Sequence, residues 1–394
     1  MQTDATQVSG SDPANITLHV GFVFVGIATT MLAPLLPPLA ARWGLADAQA
    51  GALFAAQFGG SVVSTLLSGY MVARWGFRAT LVAGFACVCA GVAALAFVPS
   101  AGALPAVCCN GIGLGLAIPT SNLYVAAVAR HRAASALSVL NFAWGVGAIV
   151  CPWLAALLRG SVGTTGFLLG LAFATGATAV WLAVVKFPAA VSNAHEVSGS
   201  REEGANVAPI GPIISLASLL FLYVGTEAAV AGWIAAYAQR VGAPGSRAWM
   251  VMPSFFWGPF LAGRALMPAV LKRAREAAVL RRGLLLGAAG LLVLLATPTL
   301  VRIGVGVAIA GLGFAGVYPL LVAQLPGRLG KATGLVGPMF AFGGLGGTIL
   351  PWLVGIVSTS FGALQAGLMV PLLAAILMFA IDSAMREQSG LASQ

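Results

Sequence analysis

The sequence predicts an all-α membrane protein: twelve membrane-spanning helices arranged as two six-helix pseudo-repeats. Three observations carry this. The chain of 394 residues is 59% hydrophobic and only 8% charged, with a mean hydropathy of +0.97. A soluble domain carries roughly 25% charged residues, and no soluble fold has interior enough to hide this much apolar chain. The apolar runs are also continuous and near the ~20 residues a helix needs to cross a bilayer, too long for the alternating strands of a membrane barrel. Finally, the two halves echo each other at an offset of about 200 residues.

Read from loop to loop, the spans begin near Leu18, Asp47, Phe77, Gly102, Ala133 and Gly163 in the first half. In the second half they begin near Pro212, Ala248, Val279, Leu300, Ala332 and Phe361. The tail Met1 to His19 holds no Lys or Arg and no short apolar run with a cleavage site, so the first span is expected to stay as an anchor. The longest polar stretch, "NAHEVSGSREEGANVAP" from Asn193 to Pro209, reads as a flexible loop. It divides an N-terminal bundle (1–190) from a C-terminal bundle (210–394), with 191–209 as a cytoplasmic central loop. The repeat is explicit. "FVFVG" at Phe22 answers "FLYVG" at Phe221, and "GIGLGLAIP" at Gly111 answers "GLGFAGVYP" at Gly311. "FAWGVGAIVCPWL" at Phe142 answers "FAFGGLGGTILPWL" at Phe340, with one extra residue. Two parallel halves with a site between them at the midplane is a transporter layout.

Charge gives the orientation. With both ends in the cytoplasm, fourteen basic residues fall in inner loops, among them Arg74, Arg78, Arg130, Arg132, Lys186, Arg201, Lys272, Arg273, Arg275, Arg328, Lys331 and Arg386. Outer loops hold five: Arg42, Arg159, Arg240, Arg247 and Arg302. The excess predicts cytoplasmic termini and a cell inner membrane location. The net charge of +10 lies beside membrane segments, so nucleic acid is not expected as a partner. The five cysteines, Cys87, Cys89, Cys108, Cys109 and Cys151, sit in apolar segments without His at metal-ligand spacing and read as small buried residues.

The loop after the second span reads "GYMVARWGFR", Gly69 to Arg78. With Gly69, Arg74, Gly76 and Arg78 in place it resembles the signature loop of the major facilitator superfamily, and the resemblance extends over essentially the whole chain. It implies the major facilitator fold and a gating role for those four residues. Ala73 stands where the family usually has an aspartate, so the usual charge-locked gate is not implied. A closer resemblance is to sugar–proton symporters related to fucose and glucose/galactose permeases, whose seventh span often reads Tyr-Val-Gly-x-Glu followed by Gly-Trp. Tyr223, Val224, Gly225, Glu227, Gly232 and Trp233 match. The fifth span, "LSVLNFAWGVGAIVCP", is similar to that branch's Asn/His–Phe–x–x–Gly–x–Gly–x–x–x–x–Pro pattern. It also overlaps in part with a glycine–proline motif of superfamily antiporters, with Cys151 in place of the glycine before Pro152. The resemblance therefore implies sugar import with protons and leaves export open.

Of the ten acidic residues only Glu227 lies deep in a span, about 22 Å from Pro212 and about 18 Å from Gln239. An ionised carboxylate at the bilayer centre costs about 3 kcal/mol on insertion scales without a counter-charge. The only intramembrane cation is Arg264, in the eighth span. Counting back from Leu271 places it about 10 Å above the inner face, a depth mismatch of about 12 Å. Arg264 is thus expected to snorkel to the inner interface or brace a helix end. Glu227 then has the physics of a proton-coupling group that a water-lined cavity can load and unload. The rival readings are a neutral acid that hydrogen-bonds substrate and a structural carboxylate.

Further candidates for substrate binding follow from depth and chemistry. Tyr223 precedes Glu227 by four residues and shares its face. Gln57 and Trp144 sit near mid-depth of the second and fifth spans. Asn122 and Asn141 lie lower in the fourth and fifth, where they can equally join those helices. Trp233 and Tyr318 can stack on a sugar ring or pack. "GIGLG" at Gly111 lies within a span rather than after a strand, so it is no nucleotide loop.

These observations predict secondary active transport of a small, mostly neutral polar solute of sugar type, with protons moving inward alongside. Proton-driven export of a drug or metabolite is the alternative. No ATP-binding G-x-x-x-x-G-K-[ST] motif is present. A membrane enzyme or receptor is disfavoured, because His19, His131 and His195 lie near loops or ends rather than in a His/Asp/Glu cluster. The expected partners are substrate, protons and the bilayer, with no cofactor, for a monomer.

Overall fold

A computed structural model describes residues 13–129, 132–187, 210–296, 299–325 and 336–391. The loop Asn193 to Pro209, the two bundle boundaries beside it, Arg130, His131, Arg201, Arg328, Lys331 and the span start at Ala332 lie outside the described residues.

Span 1 is the helix Pro13–Thr30, continued after a break at Met31 by Leu32–Trp43. Spans 2 and 3 lie within one helical stretch, Asp47–Phe97. At 51 residues it is about 76 Å long, two bilayer crossings. The division falls at Gly76, whose φ of 80° and ψ of 170° interrupt the helix; a positive φ of this kind favours glycine. Spans 4 to 6 are Ser100–Ala129, Ala133–Leu158 and Gly163–Val184; spans 7 to 9 are Ile210–Val241, Met252–Leu271 and Glu276–Ala296. Span 10 is broken into Leu300–Phe314 and Val317–Ala323, span 11 is Val336–Phe361, and span 12 joins Leu364–Gly367 to Met369–Leu391. No strand occurs among the described residues. Among the described residues ten helical segments are long and apolar enough to cross a membrane. The kinked Asp47–Phe97 supplies two crossings and Met252–Leu271 completes twelve. The expected starts at Asp47, Ala133, Gly163 and Leu300 coincide with the helices. The one at Phe361 does not. Phe361 ends span 11, because Gly362 at φ 69° turns the chain and span 12 begins at Leu364.

Large apolar side chains such as Phe173 (78% exposed), Leu157 (73%) and Val301 (76%) point out of the bundle, as lipid-facing residues do. Because lipid is as apolar as leucine, association between the helices must come from close packing, and small residues let backbones approach. The two halves solve this alike. A Cβ on Gly147 of span 5 would lie 2.1 Å from the Val23 carbonyl of span 1, and one on Gly346 of span 11 would lie 1.9 Å from the Phe221 carbonyl of span 7. Both glycines belong to the repeated segments read in the sequence.

Helix ends alternate between a face carrying Arg74, Arg78, Lys186 and Lys272 and the opposite face carrying Asp47, Arg159 and Arg240. We call the first the basic face. Arg78 secures it by donating through Nη2 to Val185 O (2.8 Å) at the end of span 6, while Arg74 is exposed. At the opposite face the halves are pinned together. Arg240 of span 7 donates to Asp47 of span 2 (2.9 Å), which also accepts from Ser358 of span 11. Ala48 N donates to Thr359 Oγ1 (2.9 Å), and Ser254 of span 8 donates to Ile149 O of span 5 (2.7 Å). Toward the basic face spans 5 and 8 part below the contact of Gly145 with Leu261, and a cavity lies between them.

Two outcomes are expected. Gly346→Ala should destabilise the bundle by about 1–3 kcal/mol, since the added methyl collides with backbone. Gly170→Ala, where nothing lies within 4 Å, should be neutral. Melting temperatures of the purified variants compare them directly. Asp47→Asn should loosen the opposite face by about 1 kcal/mol, roughly a fivefold shift in population. With the five native cysteines replaced, a cysteine at Ala231 should then react several-fold faster with an impermeant thiol reagent applied from that face. An unchanged rate would show that the Asp47 contacts do not hold that face closed.

Candidate functional site

The breaks in spans 1 and 10 shape the middle of the molecule. Breaking a helix frees carbonyls that a bilayer cannot hydrate, so protein groups must take them. Near Met31, Gln57 Nε2 donates to Thr29 O (2.8 Å) and Asn110 Nδ2 to Ala28 O (3.4 Å). Where span 10 breaks, Tyr223 OH donates to Phe314 O (3.2 Å). These bonds fix the helices that enclose the site.

A central cavity of about 150 Å³ lies between the halves, lined by Thr29 and Thr30 of span 1, Phe54 and Phe58 of span 2, and Trp144 of span 5. The second half adds Val224, Glu227, Ala228, Ala231 and Gly232 of span 7 and Trp257 of span 8. A lower cavity of about 460 Å³ lies between spans 5 and 8, lined by residues including Ser138, Asn141, Trp144, Trp257, Phe260 and Arg264. Trp144 and Trp257 border both. Their rings meet edge to face with centres 5.3 Å apart and planes at 86°, one indole from each half, and form a partition between the two spaces. Trp144 is steadied by Nε1 donating to Thr29 Oγ1 (3.3 Å).

Glu227 faces the central cavity beside Tyr223, whose O–H goes to Phe314 O, and in electrostatic contact with Arg264. Tyr223 itself stands within reach of both charged groups, and its ring centre is 5.8 Å from that of Tyr318, which also feels both charges. This corrects the expectation that Arg264 turns away to the interface. Helical side chains lean toward their own N-terminus. Span 7 starts at the basic face and span 8 at the opposite one, so Glu227 and Arg264 lean toward each other and recover much of the axial mismatch. Tyr223, one turn below Glu227, sits between them. The guanidinium carbon of Arg264 rests 4.3 Å from the Phe260 ring centre. Among the described residues the ion pairs are Arg240–Asp47 and Arg386–Asp382, so Glu227 and Arg264 interact without closing into a direct pair.

The other expected residues divide. Trp144 lines both cavities and Asn141 the lower one. Asn141 Nδ2 donates to Asn122 Oδ1 (3.0 Å), and Asn122 Nδ2 donates to Ile118 O (2.8 Å), so Asn122 joins spans 4 and 5 without lining either cavity. Gln57 (2% exposed) is spent on the span 1 break. Trp233 (0% exposed) donates to Pro351 O (2.8 Å) and packs on Phe54, which makes it helix glue rather than a stacking platform. Tyr318 belongs to the Glu227 cluster through Tyr223. Gly69 stands in open space and Gly76 supplies the helix break. Sequence reading missed Thr29, Phe54, Phe58 and Trp257. Trp257 lies in "SFFWGPF", whose one polar residue, Ser254, is spent on Ile149 O and whose aromatic run does not set the cavity side apart.

Comparison with known proteins agrees with this architecture. The sequence model of the Major Facilitator Superfamily matches residues 18–348. A Yersinia pestis protein described as an uncharacterised MFS-type transporter is 26% identical over 311 residues, 78% of either chain. Among solved structures, a nucleoside transporter superposes with a TM-score of 0.76 at 12% identity, covering 94% of this chain and 99% of its own. The Escherichia coli fucose:proton symporter gives 0.60 at 18% identity, covering 94% and 97%. The inward-open xylose transporter of Escherichia coli gives 0.69 at 15% identity, covering 93% and 94%. At these identities the solved structures show a shared fold. Family match, a helical fold of apolar spans and repeated halves converge: the chain belongs to the major facilitator superfamily, a multi-pass membrane transporter rather than an enzyme.

Proposed function

We propose that this transporter moves a small polar solute of sugar size together with protons, by alternating access between its two six-helix halves. The observation that carries the reading is Glu227, the one carboxylate deep in a span, facing the cavity between the halves beside Tyr223 and Arg264. A carboxylate held there can exchange a proton only through that cavity, which ties its protonation to whichever face is open. Relatives in fold support the solute class, since they include a fucose:proton and a D-xylose-proton symporter. In this reading residues 1–190 and 210–394 rock against each other, with 191–209 as their tether and Gly69, Arg74, Gly76 and Arg78 at the loop that gates the first half. The basic face lies in the cytoplasm and the pinned face outside, so the conformation described here is closed outward. The membrane is the cell inner membrane and both termini are cytoplasmic.

A second reading, export of an apolar drug or metabolite, is favoured by one feature: Phe54, Phe58, Trp144 and Trp257 make the central cavity largely aromatic. Accumulation of labelled solute inside proteoliposomes under an inward proton gradient supports import, and depletion supports export.

Glu227→Gln keeps shape and most hydrogen bonding but cannot ionise. With D-xylose and L-fucose as labelled probes, this variant should lose accumulation against a gradient while retaining exchange down one, in vesicles assayed with and without a pH difference. Parent-like accumulation would remove Glu227 from the coupling step. For the orientation, a reporter active only in the periplasm should stay silent when fused at Gln394. A strong signal there would reverse the topology.

A further inference from the structure

The lower cavity holds two buried donors with no acceptor. Trp257 Nε1 and Arg264 Nε are both enclosed and unpartnered, and both residues line the space between spans 5 and 8. Three other tryptophans spend their N–H groups: Trp43 on Val98 O, Trp144 on Thr29 Oγ1 and Trp233 on Pro351 O. A buried polar group left unpaired in a native bundle calls for a missing partner. Residues 257, 260 and 264 recur at i, i+3 and i+7, one face of the helix. Phe260 links the donors, its ring centre 5.4 Å from that of Trp257 and 4.3 Å from Arg264 Cζ. Two donors therefore flank an apolar floor within the length of one small molecule.

The facing wall is complementary. Asn141 donates to Asn122 Oδ1 (3.0 Å) and Leu137 O (2.8 Å), and Ser138 donates to Ala134 O (2.8 Å). With those hydrogens committed, span 5 offers lone pairs on Asn141 Oδ1 and Ser138 Oγ, which suit hydroxyl groups. No carboxylate lines this cavity, since Glu227 borders the other one. The Nε edge of a guanidinium is half of the planar fork that takes a carboxylate bidentately. Glu227 already opposes the charge of Arg264 but leaves its Nε–H unpaired, and an acid supplies an acceptor with charge to that edge where a neutral sugar supplies only hydroxyls. The volume of about 460 Å³ is that of a small-molecule site.

Resting on the reading that these cavities carry the solute, we propose that the lower cavity is a binding site for a small hydroxy acid of sugar size. Its carboxylate takes the Arg264 fork, a second oxygen takes the Trp257 N–H, and its hydroxyls face Asn141 and Ser138.

The test uses matched probes that differ in the acid group: D-gluconate against D-glucose, and D-galacturonate against D-galactose. Thermal stabilisation of the purified full-length chain is titrated with each. The proposal expects at least one acid to bind tenfold or more tightly than its neutral partner. Arg264→Gln should abolish that preference, and Arg264→Lys, which keeps the charge but loses the fork, should restore only part of it. Trp257→Phe should weaken acid binding about tenfold in a protein that still elutes as a single species and melts cooperatively. Equal binding of acids and sugars, no saturable acid binding, or an acid preference that survives Arg264→Gln overturns the proposal. Equal binding of acids and sugars alongside accumulation that depends on Glu227 would overturn it while leaving the proton-coupled reading intact. Acid preference with unaltered coupling in Glu227→Gln would do the reverse.

Discussion

Every structural choice near the middle of this transporter answers one constraint: a peptide carbonyl inside a bilayer has no water to bond. Spans 1 and 10 are broken, and the carbonyls at the breaks are met by Gln57, Asn110 and Tyr223. Part of the scarce intramembrane polarity is thereby committed to the fold. What remains turned toward the cavities includes Thr29, Ser138, Asn141, Glu227, Trp257 and Arg264. Tyr223 belongs to both groups, since it holds the end of the Leu300–Phe314 helix while standing beside Glu227. A shift of span 10 relative to span 7 therefore cannot occur without disturbing the surroundings of the buried acid.

The two indoles between the cavities show how little material separates the central space from the lower one. Trp144 comes from the first half and Trp257 from the second, so any relative motion of the halves changes their contact. The glycine crossings act the other way. At Gly147 and Gly346 backbone meets backbone within a half, leaving no flexible side chain to absorb a displacement. Between the halves backbone also meets backbone at the pinned face, where a Cβ on Gly355 of span 11 would lie 2.3 Å from the Asp47 carbonyl of span 2, whereas side chains alone close the seam at the two indoles.

Much of the fold was legible in the sequence because bilayer thickness sets a length that apolar runs either meet or miss. The starts at Asp47, Ala133, Gly163 and Leu300 were readable from charge and turn residues, and the repeated glycine segments proved to be the helix crossings. The site was legible only where a residue broke the apolar background. Glu227 stood out for that reason. Trp257, Phe54 and Phe58 did not, because a span that is apolar all round has no alternation to separate its cavity side from its lipid side. Arg264 was misjudged since counting residues gives axial depth but not the lean of the side chain. Trp233 matched a motif, yet its N–H is committed to Pro351 O, a partner only the packing reveals.

The Asp47–Arg240 pair has a consequence of a different kind. Its side chains are 15% and 46% exposed, so dissolved ions reach it, while Glu227 and Arg264 lie beyond them. Exposed charge pairs weaken as ionic strength rises and the Debye length shrinks from about 10 Å at 0.1 M to about 3 Å at 1 M. The salinity of the solution bathing that face thus biases which way the resting protein opens, independently of any solute it carries. In the proposed orientation, a cell moving between dilute and briny surroundings would alter the poise of this transporter without changing its recognition chemistry.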